Sequence, residues 1–392
     1  MQLSIPEIEA KLAALGDSDE KLTERIDLLV ELAGLLVNTD LDRAAALNRE
    51  VWERSQRAGY AAGQAHSLRI DGMLRYLAAD FPAAQELAQR SADMFEREGD
   101  RPGQARSLSL LASIRFKRGD FQGALELDFK VLAICEQLGQ TDGRGQCLNN
   151  IGTYYTRMGE YTKALDCYQD GLKLKEMAGD IRGQANCQMN IGSIYTNLKR
   201  YADADAAYQK SLALFRQGDD SRGQAYSLCN IGMNGLASAD YPKALDCFQQ
   251  SLALSRANGD PTGEMITLLN LGDAYRRMCD YQLALEYNRM GCDLALEIND
   301  PFYQVESQLS LGAIHLDMGN FDMAIETLRQ AMDMATAVES RDLILRSLRE
   351  LAEGYGRIGQ HDLASYYLRR CEQMDREMTG QGGVIREEPN PA

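Results

Sequence analysis

Residues 141–180 read TDGRGQCLNNIGTYYTRMGEYTKALDCYQDGLKLKEMAGD, and this stretch decides the fold of the whole chain. In its first half Leu148, Ile151 and Tyr155 are spaced by three and four, so they fall on one face of a helix, with Gly152 on the same face. Having no side chain, Gly152 lets a second helix approach closely. In the second half Tyr161, Ala164, Leu165, Tyr168 and Leu172 make another helical stripe. Between the halves Met158-Gly159-Glu160 is a short turn, and Gly159 suits the left-handed residue that closes a helix. Gly179-Asp180 closes the second helix.

Working outward, the same pattern returns every 40 residues from Gly59 to Gly380, without an insertion or deletion. One column holds Gly63, Gly103, Gly143, Gly183, Gly223 and Gly263; another holds Ala84, Ala124, Ala164 and so on to Ala364. A fixed period of this length predicts an all-α solenoid, in which each helical hairpin covers the apolar face of its neighbour. Prolines respect the boundaries: Pro82 and Pro242 fall in the first turn of second helices, where a missing N–H costs nothing, and Pro102, Pro261 and Pro301 fall between units. Two units look irregular. In 221–260 Gly235 stands in mid-helix and the turn Ser238-Ala239-Asp240 lacks glycine; in 301–340 Tyr303 replaces the loop glycine and His315 the column tyrosine. Either spot is a bend in the solenoid or simple drift.

The formal net charge is -16, which argues against general nucleic-acid or anionic-membrane binding. Nine cysteines without a CxxC pair, an N-terminus without a signal-peptide pattern and no apolar run of spanning length predict a cytoplasmic protein with reduced thiols.

Leu148, Ile151-Gly152, Tyr155, Tyr161, Ala164 and Tyr168 match the tetratricopeptide repeat at its spacing, and the chain resembles that family over nearly its whole length. Eight units run from about 61 to 380, and a ninth, weaker one fits 21–60, where Asp40, Ala44 and Gly59 fall in the right columns. The 40-residue form is similar to the repeats of Pins-type G-protein regulators and to arrays in bacterial signalling proteins. The resemblance implies a right-handed α-solenoid of about nine hairpins, whose first helices line a concave groove. Residues 5–15 within 1–20 read as a capping helix, the array as 21–380, and 381–392 as a disordered tail.

Opposite the core stripe of the first helix stand Gln146, Asn150, Thr153 and Arg157. Asn150 recurs as Asn190, Asn230 and Asn270. A side-chain amide carries a donor and an acceptor, so such a ladder can pair with an extended peptide backbone of any sequence. A comparable ladder occurs in peptide-binding members of the family such as kinesin light chains and O-GlcNAc transferase. The other reading is that Asn-Ile-Gly was copied by duplication, or bonds a neighbouring helix. Lys117, Arg157, Asn197 and Arg277 share a second column, which Arg357 continues and Asp317 interrupts. Arginine holds carboxylates bidentately, so this column suits acidic side chains of a partner; solvated surface charge is the alternative. Towards the N-terminus Ile70, Met73, Leu77 and Leu110 occupy this face, suited to a partner side chain or to cover by the N-terminal helix. Towards the C-terminus Glu306, Asp317, Glu350 and Glu353 make it acidic.

No constellation for chemistry stands out. His66, His315 and His361 are far apart in the array, and Cys147, Cys187, Cys167 and Cys247 read as small buried thiols. The recurring GD-x-x-GQ lacks the alternating carboxylates of a calcium loop, and no phosphate-binding GxxxxGK[ST] is present. The expectation is a non-enzymatic scaffold without metal or cofactor, monomeric or dimeric, that holds a protein or peptide partner, acidic where it meets the basic column. The alternative is a regulatory or sensor module of a signal-transduction system, controlling a kinase, cyclase or response regulator.

Overall fold

A left-handed backbone residue recurs every 20 positions, from Gly59 (φ 62°) to Gly319 (φ 77°). The 40-residue period is therefore two half-periods, each one helix and one turn. Six of these positions hold other residues, Ala79, Lys199, Asp219, Ala239, Cys279 and Asn299, which adopt the same conformation. The glycine-free turn at 238–240 is thus regular, and Ala239 bears a local strain of about 1 kcal/mol.

The computed structural model describes residues 3–15, 21–37, 39–338 and 340–378 (375–378 as backbone). The predicted tail at 381–392 lies outside the described residues. The chain divides into two compact units, 1–160 and 161–392. In the first are α1 (Ile5–Leu15), α2 (Leu22–Leu36), α3 (Leu41–Ala58), α4 (Ala61–Leu77), α5 (Phe81–Glu98), α6 (Arg101–Lys117), α7 (Phe121–Gln137) and α8 (Thr141–Arg157). In the second are α9 (Tyr161–Ala178), α10 (Ile181–Asn197), α11 (Tyr201–Gln217), α12 (Ser221–Ala237), α13 (Tyr241–Ala257), α14 (Pro261–Arg277), α15 (Tyr281–Glu297), α16 (Pro301–Asp317), α17 (Phe321–Ala337), α18 (Arg341–Arg357) and α19 (His361–Met378). Every regular element among the described residues is a helix. The architecture is the expected all-α solenoid. Both helices flagged as irregular, α12 and α16, run unbroken.

The GD-x-x-GQ loop is helix-capping chemistry. Asp100, Asp180 and Asp220 each accept the backbone N–H three residues on, from Gly103, Gly183 and Gly223, at 2.9, 2.8 and 2.8 Å. At Gly103 the third residue must be small because a Cβ there would stand 2.4 Å from the Phe95 ring. Within each hairpin the glycine column does what its position predicts: a Cβ on Gly192 would meet the Tyr208 ring at 2.6 Å. Second helices are tied to the following first helices by buried hydroxyl pairs, Ser91–Ser107 (2.9 Å), Ser211–Ser227 (3.0 Å) and Ser251–Thr267 (3.1 Å).

Successive helices pack against one another within each unit, and first helices also meet first helices: α4 with α6, and α10, α12, α14, α16 and α18 in succession. That side-by-side order places the faces opposite the core in one row within each unit. The N-terminal apolar patch is covered from within. Ile70 is fully buried in a cluster with Ile8, Ile26, Leu29 and Ala33, and Met73 packs against it. Ile70 and Met73 therefore do not await a partner; Leu110 is buried as well, and Leu77 alone of the four stays exposed. No helix among the described residues is long and apolar enough to cross a membrane.

Candidate binding face of the first helices

The first-helix stripe emerges from the burial pattern of α10. Ala185, Cys187, Ile191, Gly192 and Ile194 are buried, while Arg182, Asn186, Asn190, Ser193 and Asn197 are half-buried or exposed. In α8 the equivalent residues behave alike: Gln146 and Arg157 are exposed, Asn150 and Thr153 half-buried. The hydroxyl of Thr153 donates to the Asn149 carbonyl of its own helix at 3.0 Å.

The four asparagines occupy equivalent positions but not equivalent surroundings. The Asn150 Oδ1 accepts from Gln146 Nε2 at 3.2 Å, and its side chain lies close enough to the Asp128 carboxylate of α7 to favour the charged form of that acid. Asp128 is wholly buried and receives the Tyr154 hydroxyl at 2.8 Å. Burial pushes its pKa up to about 6, against the opposing pull of the Tyr154 hydrogen bond and the Asn150 side chain. Asn150 thus stands beside the core. In the second unit Asn270 donates to Cys229 Sγ of α12 at 3.3 Å, a bond to the neighbouring first helix. Asn230, between Asn190 and Asn270 in the row, is half-buried, and its amide has no hydrogen-bond partner among the described residues.

The basic column divides in the same way. Lys117 and Arg157 are exposed and have no ion pair among the described residues. Arg277 is engaged: its Nε donates to Asp273, one turn earlier, at 2.9 Å. Asn197 is exposed at the end of α10. The acidic end is largely neutralised from within. Asp317 meets Arg276 at 2.5 Å and Arg357 at 3.1 Å, Arg357 also holds Glu353 at 2.7 Å, and Arg346 pairs with Glu306. Glu350 alone of the four predicted acids has no ion pair among the described residues, and burial raises its pKa.

Two further links escaped the column reading. Arg182 reaches Asp220 at 3.1 Å, and Arg222 reaches Asp260 at 3.2 Å, each spanning 38 residues to the capping aspartate of the next first helix. The recurrence of D-x-R-G at 180–183 and 220–223 was the available signal. The Arg182–Asp220 pair and Arg222 border a cleft of about 500 Å³ lined also by Ile181, Leu214, Phe215 and Asn258.

Cys147, Cys187 and Cys247 are buried, Cys167 is half-buried, and burial raises the pKa of all four, to about 11 for Cys167 and Cys187. No group of three or more His, Cys, Asp or Glu among the described residues is placed to hold a metal ion.

Among solved structures, this fold resembles a Rap protein complexed with competence and sporulation factor (16% identity, 92% of this chain and 100% of the other, TM-score 0.63). It also resembles aspartyl phosphate phosphatase F from Bacillus subtilis (15%, 95% and 98%, TM-score 0.60). A third is the Rap conjugation gene regulator of the plasmid pLS20 in complex with the Phr* peptide (14%, 97% and 97%, TM-score 0.61). At these identities the likeness is one of fold. Among curated proteins no relative matches. The model of the tetratricopeptide repeat matches residues 103–177, 183–257, 236–297 and 303–377. With the repeat pattern, the paired helices and this match over more than half its length, the chain belongs to the tetratricopeptide repeat family.

Proposed function

We propose that this protein is a binding scaffold that holds an extended peptide segment of a partner along the first-helix face of residues 161–378. The observation that carries the reading is the amide of Asn230, half-buried in the row of first helices and without a hydrogen-bond partner among the described residues, flanked at 40-residue intervals by Asn190 and Asn270. A half-buried amide has given up part of its hydration, and a peptide backbone supplies both the donor and the acceptor that replace it. The pLS20 regulator, of similar fold, carries a peptide in its structure. In residues 3–160 the exposed cations Lys117 and Arg157 are the groups suited to acidic side chains of the partner, with Asn150, Gln146 and Thr153 as a polar surface on the same helix as Arg157. Arg277, already held by Asp273, contributes shape more than charge.

The test is selection of a random peptide library against the full chain and against an Asn190→Ala, Asn230→Ala, Asn270→Ala variant whose helicity is confirmed by circular dichroism. Selected peptides should bind the variant at least tenfold more weakly. Unchanged affinity would overturn the amide reading, and no enrichment on the intact chain would overturn peptide binding itself. A second reading, control of a signalling enzyme by the loaded scaffold, is suggested by the pLS20 conjugation gene regulator, of similar fold, which matches nearly the whole chain. A kinase, cyclase or response regulator whose output changes on adding the chain with its selected peptide would support it, and an unchanged output would count against it.

A further inference from the structure

Arg69 lies on α4 and Arg106 on α6, first helices that pack directly against each other. Arg69 is mostly buried, and its Nε has neither solvent nor a hydrogen-bond partner. Neither guanidinium has an ion pair among the described residues. One turn before Arg69, His66 stands edge-on to Phe95 with ring centroids 4.7 Å apart, and its Nδ1 is also buried and unpartnered. Arg106 occupies on α6 the repeat position that His66 occupies on α4, so the three groups converge on one stretch of the first-helix face. The acid that bears on this cluster is Asp100, and its Oδ1 is committed to the Gly103 N–H at 2.9 Å.

A buried charge is ordinarily paired, because its desolvation is otherwise uncompensated. Here burial, and then the like charge of Arg106, push the Arg69 pKa down to about 10. Burial, followed by the charges of Arg69 and Arg106, lowers His66 to about 4, so its imidazole is neutral near pH 7. The cluster therefore offers two fixed positive charges and an unpartnered Nε–H, with no ion pair to either guanidinium among the described residues.

We propose that Arg69 and Arg106, with His66 beside them, form a binding site for a phosphate-type dianion. A single carboxylate would leave one positive charge over. A phosphate monoester, at about −1.5 to −2 near pH 7, matches both and has oxygens enough to accept from Nε–H and Nη–H together. The site lies on other helices than the Asn190–Asn270 row and stands whether or not that row binds a peptide.

Isothermal titration of the full chain with inorganic phosphate, with acetate, and with an alanine pentapeptide carrying one central phosphoserine tests this. Inorganic phosphate should bind at one site, at least tenfold more tightly than acetate. Binding should fall at least tenfold in Arg69→Gln and in Arg106→Gln, and remain unchanged in Arg97→Gln, an exposed arginine of α5. Arg106 is exposed, so its substitution leaves the fold intact even if that of Arg69 does not. The phosphopeptide binding tenfold more tightly than phosphate assigns the site to a modified partner; equal or weaker binding assigns it to a free phosphate compound. Absence of saturable phosphate binding, equal affinity for acetate, or binding unaltered in Arg106→Gln would overturn the proposal.

Discussion

In α4, α6 and α8 the outward cations Arg69, Arg106, Lys117 and Arg157 have no acid within ion-pair distance among the described residues, whereas in α10, α12, α14 and α18 Arg182, Arg222, Arg277 and Arg357 all do. The two sets stand on the same repeat, in helices of the same length. The difference teaches that repeat position fixes where a side chain points, while a residue elsewhere decides whether it is already engaged. Arg157 and Arg277 share a column, yet Asp273 one turn before Arg277 has its counterpart in Thr153, which carries no charge. Among these eight residues, the four of the first unit stand unanswered and the four of the second are answered from within, although Arg75, Arg115 and Arg144 of the first unit do meet Asp80, Asp120 and Glu136.

The largest effect expected from this contrast lies beneath Asn150. Asp128 is a fully buried carboxylate whose pKa is raised from 3.8 to about 6. The raised value means that the fold prefers the neutral acid. Its contribution is therefore intact below the unfolded pKa and is lost as pH rises from about 4 through about 6. Asp128→Asn keeps an acceptor for the Tyr154 hydroxyl and removes the charge. It should match the parent at pH 4 and exceed it at pH 8 by up to about 3 kcal/mol, the free energy that answers to a roughly hundredfold change in acidity between the unfolded and folded chain. Hydrogen exchange of the α7 and α8 amides at the two pH values reads the local difference. A gain of equal size at both would remove the charge from the explanation.

A pair of identical substitutions should then act with opposite sign. Arg69→Met removes a desolvated, unpaired cation and should stabilise by about 1 kcal/mol in phosphate-free buffer. Arg222→Met leaves Asp260, whose side chain is 6% exposed, without its ion pair, and should destabilise by about 1–2 kcal/mol. Urea midpoints of the two variants against the parent decide it. Two changes of the same sign would show that paired and unpaired arginines are not the distinction that matters here.

Much of the fold was readable from residues 141–180 alone, because turns, glycine contacts and apolar stripes are local and repeat. Gly192 against Tyr208 and the N-cap of Asp180 on Gly183 are both set within a single 40-residue window. The face opposite the core was legible as a set of positions, and Gln146, Asn150, Thr153 and Arg157 all lie on it. What each position can do was not, because the deciding partner comes from elsewhere. Asp128 stands beside the amide of Asn150 from the preceding helix, Cys229 takes that of Asn270 from 41 residues back, and α2 lies over Ile70. The Arg69 cluster escaped the column reading for the opposite reason: it is defined by ion pairs that Arg69 and Arg106 do not make among the described residues, and a column shows what recurs.

The smallest effect separates Arg157 from Arg277 directly. The Arg277–Asp273 pair spans one helical turn at 2.9 Å, with side chains 46% and 28% exposed. Pairs of this kind contribute about 0.3–0.5 kcal/mol, because water screens the attraction and two long side chains must be held in register. Arg277→Gln should cost about that much, and Arg157→Gln nothing resolvable, since it has no ion pair among the described residues. Raising the ionic strength to about 1 M shortens the screening distance to about 3 Å and should erase the Arg277 loss. If instead Arg157→Gln lowers the midpoint as much as Arg277→Gln, and salt removes both losses alike, then Arg157 is held by longer-range acids in solution and is not free to meet a partner. If the two differ as expected, the charge that Arg157 presents is available in full to whatever binds the first unit.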